Sequence, residues 1–165
     1  MKIGFLAATD VGPNWLAAKE SRSGILLASD PNLPTIVTNA KQQVDILVMS
    51  FHWGNEYSPA NAHQEKLAHT VIDAGAYIVV GHHPHVMERV ETYTGKLIFY
   101  SLGNFIFDQY FSPHTMHGMV AHVSIDPETK ALTTTQAVSE LSKQYVPQLP
   151  IPYDPSMLVS KTFIP

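Results

Sequence analysis

The chain has no cysteine among its 165 residues. Disulfides and thiolate metal sites are therefore excluded, and the absence fits a reducing or an oxidising compartment equally well. Basic charge is also scarce: 10 Lys and Arg stand against 14 Asp and Glu, giving a net charge of -4 with the histidines neutral. No dense basic run occurs anywhere, which excludes nucleic acid as a partner. Long hydrophobic runs are missing too, since nothing approaches the ~18 consecutive apolar residues of a membrane span. The opening Met1 to Ala8 has a single basic residue. Its apolar run of about six residues falls short of the ~7 to 15 of a signal-peptide core, so it reads as a strand. Hydrophobic content of 45% is ordinary for a folded protein, and the length suits one domain or half of a larger one.

What the chain does have is histidine in an unusual place. Gly81-His82-His83-Pro84-His85-Val86 follows directly on the apolar run Ala76-Tyr77-Ile78-Val79-Val80. Imidazole is a common ligand for divalent metals, and a strand ending at a glycine presents such groups at a sheet's edge, where α/β proteins place their sites. Within His83-Pro84-His85, proline fixes the backbone between two imidazoles and so lowers the entropy lost on ordering them. His82 is open to several roles: third ligand, cation facing a phosphate, general acid, or an imidazole held by a backbone carbonyl. A site role other than ligand is preferred.

Val44 to Phe51 forms a second continuous apolar run, of the fully buried strand kind, ending at His52. Between the two runs, Leu67, Ala68, Val71 and Ile72 recur at helical spacing, which predicts an amphipathic helix over 59–74 closed by Gly75. A strand, helix, strand unit makes its two strands parallel neighbours. His52 then lies ~4.8 Å from the other strand's end, where His52, His83 and His85 can converge on one ion. The motif His52-Trp53-Gly54-Asn55-Glu56-Tyr57 adds Trp53 and Glu56 as candidate substrate contacts, the alternative being a plain loop with a packed Trp. In Ser101 to Gln109, Asn104 at a strand exit is a further candidate substrate contact, or else a residue that only holds a turn.

Elsewhere, residues 2–9 predict a buried strand and 10–34 a long loop rich in Pro and Gly turns. Weak helical character covers 35–43. A hairpin turn over 91–96 leads into a strand at 97–102, and a further strand is expected over 118–125. His63 and His69 are expected to face solvent and His122 to be an ordinary sheet residue. Residues 1–140 are read as the folded unit. Residues 141–165, crowded with Pro147, Pro150, Pro152, Pro155 and Pro165, are read as a tail without regular elements.

The runs Ser50 to Tyr57, Gly81 to Val86 and Tyr100 to Gln109 resemble, in that order, the CapA-type family linked to poly-γ-glutamate capsule synthesis. That family is similar to the calcineurin-like metallophosphatases. The resemblance implies an α/β fold, here the C-terminal half of a four-layer α/β/β/α sandwich of two mixed sheets faced by helices. It also implies a two-metal centre of divalent ions (Mn, Zn or Fe), with His52 and His83 on one metal, His85 on the other, and His82 stabilising a leaving oxygen.

The expected substrate is an anionic polymer or a phosphoester. Family members are typically outside the cytoplasm behind an N-terminal anchor. The family's upstream Asp-x-His, Gly-Asp and Gly-Asn-His motifs do not occur before Lys2, and with them goes the carboxylate that bridges two metals. The chain is expected to be a fragment, a separately encoded half that pairs with an N-terminal half-domain or with itself, or a remnant. The alternative function is a non-catalytic module that binds one metal or a polyanion for assembly or anchoring.

Overall fold

The computed structural model describes residues 1–142, 144, 146–152, 154, 157 and 158. Its centre is a five-stranded sheet built from β1 (Ile3–Thr9), β2 (Ile46–His52), β3 (Ile78–His82), β4 (Val90–Tyr93) and β5 (Lys96–Phe99). The spatial order is β1-β2-β3-β5-β4, with all neighbours parallel except the β4–β5 hairpin. β2 and β3 lack the alternation of half-buried strands because both their faces are covered. As parallel neighbours they place His52 directly opposite His82.

Helices α1 (Leu33–Lys41) and α2 (Ala62–Asp73) cover one face. Their Leu33, Val37, Ala68, Val71 and Ile72 pack on Leu47, Met49, Phe51, Val79 and Ile98. α2 starts three residues later than its apolar pattern suggests because Asn61 caps it. The Asn61 side chain accepts from the His63 and Gln64 amides at 3.0 Å, and Gln64 Oε1 accepts the Asn61 amide at 3.0 Å. This capping box satisfies donors that the first turn leaves orphaned.

The opposite face carries a second, antiparallel sheet of β6 (His117–Ile125), β7 (Leu132–Leu141) and β8 (Pro147–Pro152), in that order. Met119 and Val138 pack there on Ile46, Val48, Ile78, Leu97 and Phe99. The α/β class is therefore as expected, in three layers: helices, sheet, sheet. A fourth, helical layer is not found among the described residues. The Pro-rich segment also differs from expectation, since 147–152 forms a regular strand paired with β7. Proline is tolerated because β8 is an edge strand, where a missing N–H interrupts no second ladder. Pro155 and Pro165 lie outside the described residues. No helix among the described residues is long and apolar enough to cross a membrane.

Candidate metal centre

Three loops leave the carboxyl ends of β2, β3 and β5 and meet. The first, 53–57, is tied to the second by Trp53 N donating to His82 O at 3.1 Å and Tyr57 N donating to Pro84 O at 2.8 Å. Gly81 makes the close approach of the strands possible. A methyl group there would overlap the Tyr100 carbonyl oxygen and Trp53 Nε1. Trp53 Nε1 itself donates to that carbonyl at 2.8 Å, so the indole bridges β2 and the β5 exit across a glycine.

The loops are bent sharply where they carry their functional groups. His83 has φ 101°, His85 φ 60° and Tyr57 φ 57°, all in the region that side chains disfavour. Such residues cost of order 1 kcal/mol or more each and gather at functional sites. Here they turn three side chains toward one point. Glu56, His83 and His85 offer donor atoms that all lie within 4.8 Å of one another. His52, expected as a ligand beside His83 and His85, is not in that trio; its ring lies 4.6 Å from the His83 ring, centroid to centroid. Glu56, expected at the substrate, takes the place in the trio.

The donor set is suited to a divalent ion. Carboxylate and imidazole together accept zinc, manganese or iron. Burial, followed by the neighbouring His52, lowers the His83 pKa, and burial followed by His85 lowers that of His52, so both rings keep an unprotonated nitrogen near neutrality. The tautomer of His85 follows from its partner. Its Nδ1 lies 2.9 Å from Asn104 Oδ1, while Asn104 Nδ2 donates to Thr115 O at 3.0 Å and to Gln109 Oε1 at 3.3 Å. The amide is thereby oriented with its oxygen toward His85, which must donate from Nδ1 and leave Nε2 free. Gln109 Nε2 in turn donates to the Tyr57 hydroxyl at 2.8 Å, closing a ring of contacts around the trio.

Two expected substrate contacts lie buried. Trp53 is wholly buried, stacked on Phe51 at 4.5 Å and near Tyr100, and belongs to the core. Asn104 is buried, with its amide held by His85, Thr115 and Gln109. His82 stands apart from the trio and lines an apolar cleft of about 430 Å³ with Leu102, Phe105, Met119 and Val120. Burial and then His52 lower its pKa.

Beside Gln64 on α2 lies a group that the sequence did not reveal. Glu88 is buried, accepts from Gln64 Nε2 at 2.9 Å through one oxygen and has no hydrogen-bond partner for the other among the described residues. Burial raises its pKa to about 7. Among the remaining histidines, His63 is exposed beside Asp10 at 3.0 Å. His69 is not solvent-facing as expected; it stacks on Tyr93 and meets Glu91 at 2.8 Å.

The trio, its tautomer-fixing amide and the strand ends that carry them all fall within residues matched by one family. The bacterial capsule synthesis protein family PGA_cap matches residues 1–109. The chain belongs to this family. It is 48% identical over 108 residues to the PGA biosynthesis protein CapA of Bacillus subtilis, covering 65% of this chain and 28% of that protein. It is 39% identical over 114 residues to the capsule biosynthesis protein CapA of Bacillus anthracis, covering 66% and 28%. A probable polyglutamine synthesis accessory protein of Mycobacterium tuberculosis is 33% identical over 142 residues, covering 81% and 36%. The chain thus spans 28% of the length of the two CapA relatives that it matches.

Proposed function

We propose that this PGA_cap chain contributes a metal-dependent, phosphoesterase-like hydrolytic site to capsule-polymer synthesis, with an anionic polymer or a phosphoester as substrate. The observation that carries the reading is the Glu56, His83 and His85 group at the carboxyl ends of parallel strands. These three would hold a divalent ion (Mn, Zn or Fe), with His52 next to His83 as the further ligand. A bound divalent ion supplies Lewis acidity and lowers the pKa of a coordinated water. The chain's own residues do the rest. Asn104 keeps the Nδ1 proton of His85 in place, His52 and His83 are held neutral, and His82 offers an N–H toward a leaving oxygen from the mouth of its cleft.

The half-domain of this reading comprises residues 1–140 together with β8 (Pro147–Pro152), which pairs with β7. Further carboxylates come from polypeptide outside this stretch, as an N-terminal half-domain or a partner chain. A second reading, a non-catalytic module that binds one metal or a polyanion for assembly, is favoured by the size of the donor group, since three protein ligands suffice for a single zinc ion.

Metal content and hydrolysis of an aryl phosphate, measured on the chain together with the remaining portion of a CapA relative and with His83→Ala as control, separate the two. Metal-dependent turnover abolished by the substitution supports the hydrolase. Binding of one equivalent without turnover supports the module, and absence of any metal binding removes the hydrolase and the metal-binding form of the module.

A further inference from the structure

We infer that Gln64 and Glu88 are positioning residues for the candidate metal centre: the buried amide, held by the carboxyl, is the seat for the Gly54 backbone, and this keeps Glu56 near His83 and His85. The role rests on the metal reading of that trio, although neither residue belongs to it.

The two residues are polar where apolar side chains would serve. Gln64 lies one turn before Ala68 on the face of α2 that also buries Val71 and Ile72. It is 0% exposed, and Glu88 is 1% exposed. Gln64 Oε1 accepts the Asn61 amide at 3.0 Å, and Gln64 Nε2 donates to Glu88 Oε2 at 2.9 Å. Glu88 is anchored by its own backbone, whose amide donates to Ser101 O at 3.1 Å just beyond β5. The pair thus ties the start of α2 to the exit of β5.

Such a pair is costly. The second carboxyl oxygen of Glu88 has no hydrogen-bond partner among the described residues. Two apolar groups of the same shape would be nearly neutral or stabilising in its place. Stability therefore does not account for the pair, which leaves what it holds in position.

What it holds is the 53–57 loop. Gly54 has φ 81°, and a Cβ built on it would lie 2.7, 2.8 and 2.9 Å from Nε2, Cδ and Oε1 of Gln64. The backbone at 54 thus rests directly against the amide group. The same loop is tied to the histidine loop by the Trp53 and Tyr57 amides, which donate to His82 O and Pro84 O. Glu56 depends on this support. It is exposed, whereas His83 and His85 are half-buried, so its place within 4.8 Å of the two imidazoles is set by the backbone that carries it. Groups that bind an ion must be held to within about 0.5 Å, and a rigid seat beneath the loop supplies that precision.

Capping α2 is a separate task. The cap uses Gln64 Oε1 and the Asn61 side chain, and the bond from Nε2 to Glu88 adds nothing to it. Glu88→Ala therefore removes the seat's support and leaves the cap intact.

The test measures zinc affinity, by chelator competition, and amide hydrogen exchange on the chain together with the remaining portion of a CapA relative. Glu88→Ala is expected to weaken zinc binding about tenfold or more. Exchange at Trp53 and Tyr57 should quicken by a similar factor relative to the amides of β2. Glu88→Gln, which can still accept from Gln64, should restore native values of both. Val138→Ala, a cavity in the core between the sheets, controls for general destabilisation and should leave both unchanged. If Glu88→Ala does not fold, Gln64→Met, which keeps the length of the side chain and lacks both bonds, gives the same reading. Unaltered exchange at Trp53 and Tyr57 overturns the role, and so does a loss that Glu88→Gln fails to restore or that Val138→Ala reproduces. Absence of zinc binding by the native protein counts against the proposed metal site alone, and the exchange rates then decide whether the pair seats the loop.

Discussion

Asn104 and Glu88 are two buried side chains outside the trio whose chemistry is set by what surrounds them. Asn104 fixes the proton of His85 on Nδ1, and such outer partners typically govern metal affinity by 10- to 100-fold. Asn104→Ala is accordingly expected to weaken divalent-metal binding about 10- to 100-fold. Competition with a fluorescent chelator measures this, and circular dichroism checks that the fold survives. Glu88 acts through charge. Its pKa is raised from 4.5 to about 7 by burial, so the folded state holds a proton that the unfolded chain releases. Stability is then full below about pH 4.5 and is lost as pH rises through about 7, by about 3 kcal/mol in all. Glu88→Gln should remove that fall. Urea midpoints across pH 4 to 9 test it: a variant whose pH dependence parallels the native chain's would show that Glu88 does not titrate as described.

At the scale of elements, the strand, helix, strand unit from β2 to β3 is what brings His52 and the His83 loop together. Its weakest tolerance is at Gly81, where added volume meets backbone on one side and an engaged indole on the other. Gly81→Ala is expected to destabilise the protein by about 3 kcal/mol or more, because neither neighbour is a flexible side-chain end that can move aside. Thermal unfolding would reveal it, and a shift of under a degree would contradict the contact. Much of this level was legible beforehand. Continuous apolar runs marked the parallel strands, helical spacing marked α2, and Glu91 to Lys96 marked the hairpin. Trp53 was misassigned because a tryptophan beside a candidate ligand looks the same in sequence whether it faces a substrate or stacks on Phe51. His69 was misplaced because its stacking partner Tyr93 is supplied by β4, far along the chain.

For the whole molecule, the proposed metal site would link metal binding to folding, since Glu56 on one loop and His83 and His85 on another come together only in the native state. Divalent metal at 100 times its dissociation constant should add about 2.7 kcal/mol. That corresponds to roughly 5 to 10 °C in melting temperature for a chain of this size. Differential scanning calorimetry with and without chelator checks it, and His83→Ala is expected to abolish the metal-induced rise.

The sequence by itself determined the α/β class, the parallel pairing of the two central strands and the place of the 81–86 cluster at a strand's carboxyl end. Apolar periodicity and crossover chirality are local or nearly local properties of a chain. Only the tertiary structure decided which groups converge. Glu56 joins His83 and His85 because left-handed backbone at Tyr57, His83 and His85 turns two loops toward each other. Asn104 turns its oxygen to His85 because Thr115 and Gln109 take up its amide nitrogen. Such contacts are set by side-chain packing between segments distant in sequence, which spacing along the chain does not encode.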